Sequence, residues 1–275
     1  MEMRKSFRLI TSQGRISDRT PRAIAGARAT SDLLAEALSL QAELIGLPDE
    51  ACIDDWSASL PAAEKTLNKL RAAVLDAIGE GIAPLLAVNT CSGSLATLPA
   101  AVTAIPDLKI LWIDAHGDFN TPETTGSGYL GGMVLAAVCG LWQSGHGADV
   151  DPTQIIIAGI RDIDEQERRL LEVAGVKLLP PSSTNAEAVL PLLGNSPVWI
   201  HVDWDSLEPG HVPAAYKVPN GLMPSQLRAL FEAIPPEQIA GIEFAEFEIQ
   251  DDEEERAQAL AVLSDVIEPL LVRRA

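Results

Sequence analysis

Seven short runs of apolar and β-branched residues, at positions 7–10, 85–88, 108–113, 155–158, 176–179, 198–202 and 239–244, recur with helix-length amphipathic stretches between them. Uninterrupted apolar runs of this length mark strands buried on both faces, as in parallel sheets whose crossovers are helical. The clearest intervening helix carries Leu67, Leu70, Val74 and Ile78 at spacings of three and four, beginning after Pro61 and stopping at Gly79-Glu80-Gly81. This grammar predicts a three-layer αβα sandwich around a mostly parallel central sheet. No repeat, linker or low-complexity tract divides the chain, so residues 1–275 read as one catalytic domain. In such folds ligands bind beyond the carboxyl ends of the strands, and function is sought there.

Charge and composition exclude several classes of partner. Lys and Arg total 20 against 39 Asp and Glu, a net charge of −19, which repels nucleic acid and anionic membrane. The N-terminal stretch lacks the apolar run of a signal peptide, and the longest apolar stretch, 130–141, is too short to span a bilayer. The expectation is a soluble, cytoplasmic protein. Cys52, Cys91 and Cys139 are odd in number and widely spaced, as reduced thiols are. The acidic run 251–255 reads as the solvated start of a helix.

The chemistry is concentrated at two strand ends. After the run 108–113 come Asp114, His116 and Asp118; after 198–202 come Asp203 and Asp205. On extended backbone residues two apart share a face, so each set can converge on one point. A single aspartate in such a place would read as a cap, but four carboxylates held together are strongly unfavourable without cations. Divalent metal resolves the conflict. An oxygen-rich set with one imidazole suits Mn²⁺ better than Zn²⁺, and four Asp charges balance two divalent ions.

The stretches 114–128 (DAHGDFNTPETTGSG) and 201–209 (HVDWDSLEP) resemble the two signatures of the arginase (ureohydrolase) superfamily, binuclear manganese hydrolases of guanidino compounds. The resemblance implies that Asp114 and Asp203 bridge two Mn²⁺, that Asp118 completes one site, and that His116 and Asp205 complete the other. The family's remaining ligand is a histidine in a Gly-Gly-Asp-His-Ser loop; here the matching residues are Val88, Asn89, Thr90, Cys91 and Ser92, which puts Cys91 in its place. A thiolate there would be softer and more negative than imidazole and would lower the electrophilicity of that ion, a neutral thiol would bind weakly and loosen the site, and a free cysteine can also serve simply as a small buried hydrophobe. Gly131 stands where arginases carry a proton-relaying histidine, and His146 and His211 are the spare histidines that could replace it.

By the same resemblance Asn120 and Ser127 match contacts to a substrate α-carboxylate, and Asp164 and Glu167 match those around the α-amino group. Glu246 matches the glutamate that pairs with the guanidinium, although Phe247-Glu248 replace the family's usual Asn-Pro. Asp118 would accept and relay a proton. Within the family the segments around Cys91, Gly131 and 139–146 look closest to a branch acting on Nω-hydroxy-L-arginine in antibiotic biosynthesis, which implies release of hydroxyurea and ornithine. Two other readings stand beside it: an arginase acting on L-arginine, and a binding protein of the same fold that has lost catalysis, motivated by Cys91 and Gly131. The sequence stops at Arg273-Arg274-Ala275 directly after an apolar helical pattern, so a monomer is expected over the family's trimer.

Overall fold

The computed structural model describes residues 6–271; Arg273 and Ala275, on which the expectation about oligomeric state rests, lie outside them. In chain order the elements are β1 (Phe7–Ser12), α1 (Pro21–Leu38), β2 (Glu43–Ile45), α2 (Trp56–Gly79), β3 (Ala83–Ala87), α3 (Ser94–Ala104), β4 (Lys109–Ile113), α4 (Val134–Val138), β5 (Ile155–Ala158), α5 (Glu165–Ala174), β6 (Lys177–Leu179), α6 (Ala186–Leu193), β7 (Val198–Asp203), α7 (Pro224–Ala233), β8 (Ile239–Ala245) and α8 (Glu253–Leu271). The strands form one sheet in the order β2-β1-β3-β8-β7-β4-β5-β6, with every pairing between neighbours parallel.

Alternate residues of the central strands feed opposite cores, as the two-residue period of a strand requires. On one face Leu86, Ile110, Trp112, Ile157 and Trp199 pack against α2 and α3 through Leu67, Leu70, Val74, Leu95 and Leu98. On the other, Leu85, Leu111, Ile113, Ile156, Ile200 and Phe244 pack against α1, α6, α7 and α8 through Leu34, Val189, Leu193, Phe231, Leu263 and Ile267. These two cores and the sheet between them are the three layers read from the sequence.

Two local expectations are corrected. Helix α2 starts at Trp56, before Pro61, because Asp55 caps it by accepting a hydrogen bond from the Ser57 amide. Strand β2 had no sequence signal: it has three residues, lies at the sheet edge and buries only Ile45. No helix among the described residues is long and apolar enough to cross a membrane.

Candidate metal centre and substrate pocket

The four central strands β3, β8, β7 and β4 are neighbours in the sheet, and each delivers a functional side chain at or just past its carboxyl end: Cys91, Glu246, Asp203 with Asp205, and Asp114 with His116 and Asp118. Strand β4 ends at Ile113, so the convergence of Asp114, His116 and Asp118 does not come from extended backbone. It comes from a turn. The Asp114 Oδ1 accepts the His116 amide at 2.7 Å, and Asp118 takes a left-handed φ of 47°. Asp203 builds a matching turn by accepting the Asp205 amide at 2.8 Å. Glu246 is left-handed too, at φ 62°, so two carboxylates of the site hold a backbone conformation that costs non-glycine residues energy.

Three overlapping sets have ligand atoms within 4.8 Å of one another: Cys91, Asp114 and Asp118; Asp114, His116 and Asp205; Cys91, Asp203 and Glu246. Asp114 belongs to the first two, and Cys91 to the first and the third. The other Asp114 oxygen accepts from Trp112 Nε1 at 2.9 Å, and the Trp112 ring stacks on His201 at 3.5 Å between centroids. Such outer partners fix the orientation of ligands.

The donor set fits divalent cations. Asp114, Asp118, Asp203 and Asp205 are all buried, and Asp118 Oδ2 is buried with no hydrogen-bond partner. Burial first, and then the neighbouring carboxylates, push Asp118 and Asp203 well above the ordinary range and Asp205 up to about 6. His116 stands beside them, 3.0 Å from Asp205 and 3.4 Å from Asp114; burial opposes its charge, but these two partners push it up to about 12. Burial, followed by Asp203, Asp118 and the other carboxylates, raises the Cys91 thiol, whose Sγ lies 3.3 Å from both Asp203 Oδ2 and His201 Nε2. A cation entering here would meet four carboxylates that repel one another.

The cluster floors a cavity of about 290 Å³ that is also lined by Asn120, Ser127, Tyr129, Gly131, Asp162, Asp164, Glu167 and Tyr216. Asn120, Ser127, Asp164 and Glu246 thus share one pocket. Asp164 also caps α5, accepting the Gln166 and Glu167 amides at 2.9 Å. Glu167 turns inward as well: its Oε1 accepts the Phe119 amide at 2.9 Å, and a Cβ at Gly117 would lie 2.8 Å from its carboxyl carbon. It therefore braces the Asp118 loop. His146 and His211 are not among the lining residues; His211 lines a separate surface depression with Lys217.

Two residues that the sequence did not single out organise the site. The half-buried Arg161 donates to the carbonyls of Gly159, Asp205, Ser206, Leu207 and Val218 and so fastens the loop that carries Asp205. Tyr129 donates from its hydroxyl to Glu246 Oε1 at 2.9 Å.

Comparison with known proteins agrees with this geometry. The family model described as "Arginase family" matches residues 10–269. The chain belongs to the arginase family. It is 51% identical over 261 residues, 95% of its length and 96% of the relative's, to the N(omega)-hydroxy-L-arginine amidinohydrolase of Streptomyces lavendulae. It is 28% identical over 226 residues to the arginase of Bacillus caldovelox, covering 76% of each chain. The native structure of that arginase at pH 5.6 superposes with a TM-score of 0.84 over 98% of this chain and 99% of the other, at 24% identity, a likeness of fold. Membership of the family makes the strand-end cluster a candidate binuclear metal site.

Proposed function

We propose that the protein is a manganese-dependent amidinohydrolase that cleaves the guanidino group of Nω-hydroxy-L-arginine to hydroxyurea and L-ornithine. The observation that carries the reading is the 51% identity, over nearly the full length of both chains, to an amidinohydrolase named for that substrate. Cys91 supports it by standing within ligand reach of the cluster where arginases keep histidine. A substrate panel of hydroxyarginine, arginine and agmatine, assayed with manganese, tests it: hydroxyarginine is expected to have the highest kcat/KM, and preference for arginine overturns the reading.

Two Mn²⁺ would be held by Cys91, Asp114, His116, Asp118, Asp203 and Asp205. When bound, divalent ions supply nucleophilic water at neutral pH and act as Lewis acids toward developing charge. The protein's own groups position the reaction. Glu246 pairs with the guanidinium, using the planar match between carboxylate and guanidine. Burial pushes it up to about 8, against the opposing hydrogen bonds from the Cys91 amide and the Tyr129 hydroxyl, so a cationic partner is needed to keep it ionised. Asp118 takes up and passes on a proton through its unpartnered Oδ2. Asn120 and Ser127 hold the α-carboxylate, while Asp164, with Glu167 behind it, faces the α-amino group.

Two expected outcomes follow from these assignments. Agmatine, which lacks the carboxylate, leaves Asn120 and Ser127 without their partner, and its kcat/KM is expected to fall by about a hundredfold or more relative to the amino acid. Equal values would remove the recognition assigned to those residues. If Cys91 ligates metal, the cobalt-loaded protein should show a sulfur-to-metal charge-transfer band in the near ultraviolet, absent in Cys91→Ser. The same spectrum in both proteins would exclude sulfur from the coordination sphere.

A further inference from the structure

Gly131 occupies the position of the family's proton-relaying histidine, and the structure shows what fills the space. A Cβ built on Gly131 would lie 2.3 Å from Cε1 of the Tyr129 ring and 2.9 Å from its Cζ. No side chain fits there while the tyrosine stays. Gly131 is not among the glycines with positive φ, so it is required for room and not for backbone conformation. The ring is held from outside by the Arg19 guanidinium, 4.8 Å above its centroid, and by the Tyr216 ring at 5.2 Å. Its backbone amide donates to Ser127 Oγ at 3.2 Å.

The hydroxyl end has a defined hydrogen-bond state. A phenol has one donor and two acceptor positions. The donor is committed to Glu246 Oε1 at 2.9 Å, an oxygen that also accepts the Cys91 amide at 3.0 Å. Ser17 hydrogen-bonds one acceptor position, so the other is the capacity that remains for a ligand in the cavity, which Tyr129 lines together with Cys91, Asp118 and Gly131. Burial, and then the charge of Glu246, raise the phenol well above its ordinary range, so it is neutral and serves as a hydrogen-bonding group, not as a base.

We propose that the Tyr129 hydroxyl, seated over Gly131 and anchored on Glu246, accepts a hydrogen bond from the N-hydroxyl of the substrate and selects a hydroxyguanidine over a plain guanidine. The inference rests on the hydroxyarginine reading above. A guanidino group beside Glu246 ends in N–H; the hydroxyguanidine extends one atom further and ends in an O–H donor. The tyrosine supplies the matching acceptor in the volume released at position 131. In this assignment Tyr129 determines specificity, and the glycine at 131 is the condition for its placement.

The test is Tyr129→Phe, which keeps the ring and removes the hydroxyl. The manganese-loaded variant is assayed with hydroxyarginine and with arginine, and its metal content and thermal midpoint are recorded. The ratio of kcat/KM for hydroxyarginine over arginine is expected to fall about ten- to a hundredfold, the usual scale for one buried polar group left unpaired. Most of the change should appear in KM, since the contact exists before and during the reaction. Gly131→Ala is the second variant: its Cβ pushes the ring aside while the hydroxyl remains, and the same ratio should fall again. An unchanged ratio in either variant, with metal and fold retained, overturns the role of Tyr129. The wild-type protein separates the two readings. If it prefers arginine, the proposed function fails and this inference fails with it; if it prefers hydroxyarginine while Tyr129→Phe keeps that preference, only the inference fails.

Discussion

Asp114→Asn is expected to abolish amidinohydrolase activity, by about a thousandfold or more in kcat/KM, and to leave the purified protein with less than one metal ion per chain. Asp114 belongs to two of the three ligand sets and is the carboxylate shared between Cys91 with Asp118 on one side and His116 with Asp205 on the other. The change removes one negative charge and one carboxylate oxygen; the amide oxygen can keep the His116 amide and with it the turn, while the amide NH2 replaces the oxygen that accepted from Trp112 Nε1. Strand β4 and the turn after it are therefore kept, and loss of metal is separable from loss of fold. Metal analysis beside circular dichroism measures both. Full metal occupancy with normal turnover in a folded Asp114→Asn protein would remove Asp114 from the centre.

Why some of this was legible in the sequence, and some not, follows from the range of each interaction. Strands buried on both faces leave a continuous apolar run whatever their partners, and the edge strand β6 keeps an apolar run although it is only partly buried, so seven of the eight strands could be read. Strand β2 could not, because three residues at an edge need only one buried side chain. Pro61 misplaced the start of α2, since the deciding contact, Asp55 on the Ser57 amide, is one hydrogen bond that the helical pattern does not require. Aspartates at two-residue spacing after apolar runs pointed to a shared site, although a left-handed Asp118 and two carboxylate-on-amide turns produce the convergence. Tyr129 left no such trace. Its hydroxyl reaches Glu246 across 117 positions and its ring fills a space defined by the absence of a side chain at Gly131. Arg161 escaped for the same reason, because its partners are backbone carbonyls that any sequence supplies.

Stripping the metal should reverse the usual pH dependence of stability. Without cations, the folded protein holds Asp205 at about 6 and Asp118 and Asp203 well above the ordinary carboxylate range, so near pH 6 it binds protons that the unfolded chain has already released. Stability from these groups is greatest below the unfolded carboxylate range and falls as pH rises through the folded values. His116 adds to the trend: pushed up to about 12, it stabilises the fold below the ordinary histidine range and loses that contribution as pH climbs above it. For Asp205 alone, a shift from 3.8 to about 6 corresponds to on the order of 3 kcal/mol. In a chain of this length that is roughly 5–10 °C of thermal midpoint. The metal-loaded protein runs the other way, because protons compete with cations for the same carboxylates and imidazole. Scans of chelated and manganese-loaded protein from pH 5 to 8 should therefore diverge, with the stabilisation by metal smallest at pH 5 and about ten degrees or more at pH 8. Asp18, pushed up to about 6 chiefly by burial, tilts both curves alike and drops out of the difference, whereas Glu167, pushed up to about 7 chiefly by burial, also feels His116 and Asp114 and adds to it. A difference that stays flat across this range would mean that the four aspartates are not the groups that bind metal, and that their mutual repulsion is relieved by something else in the fold.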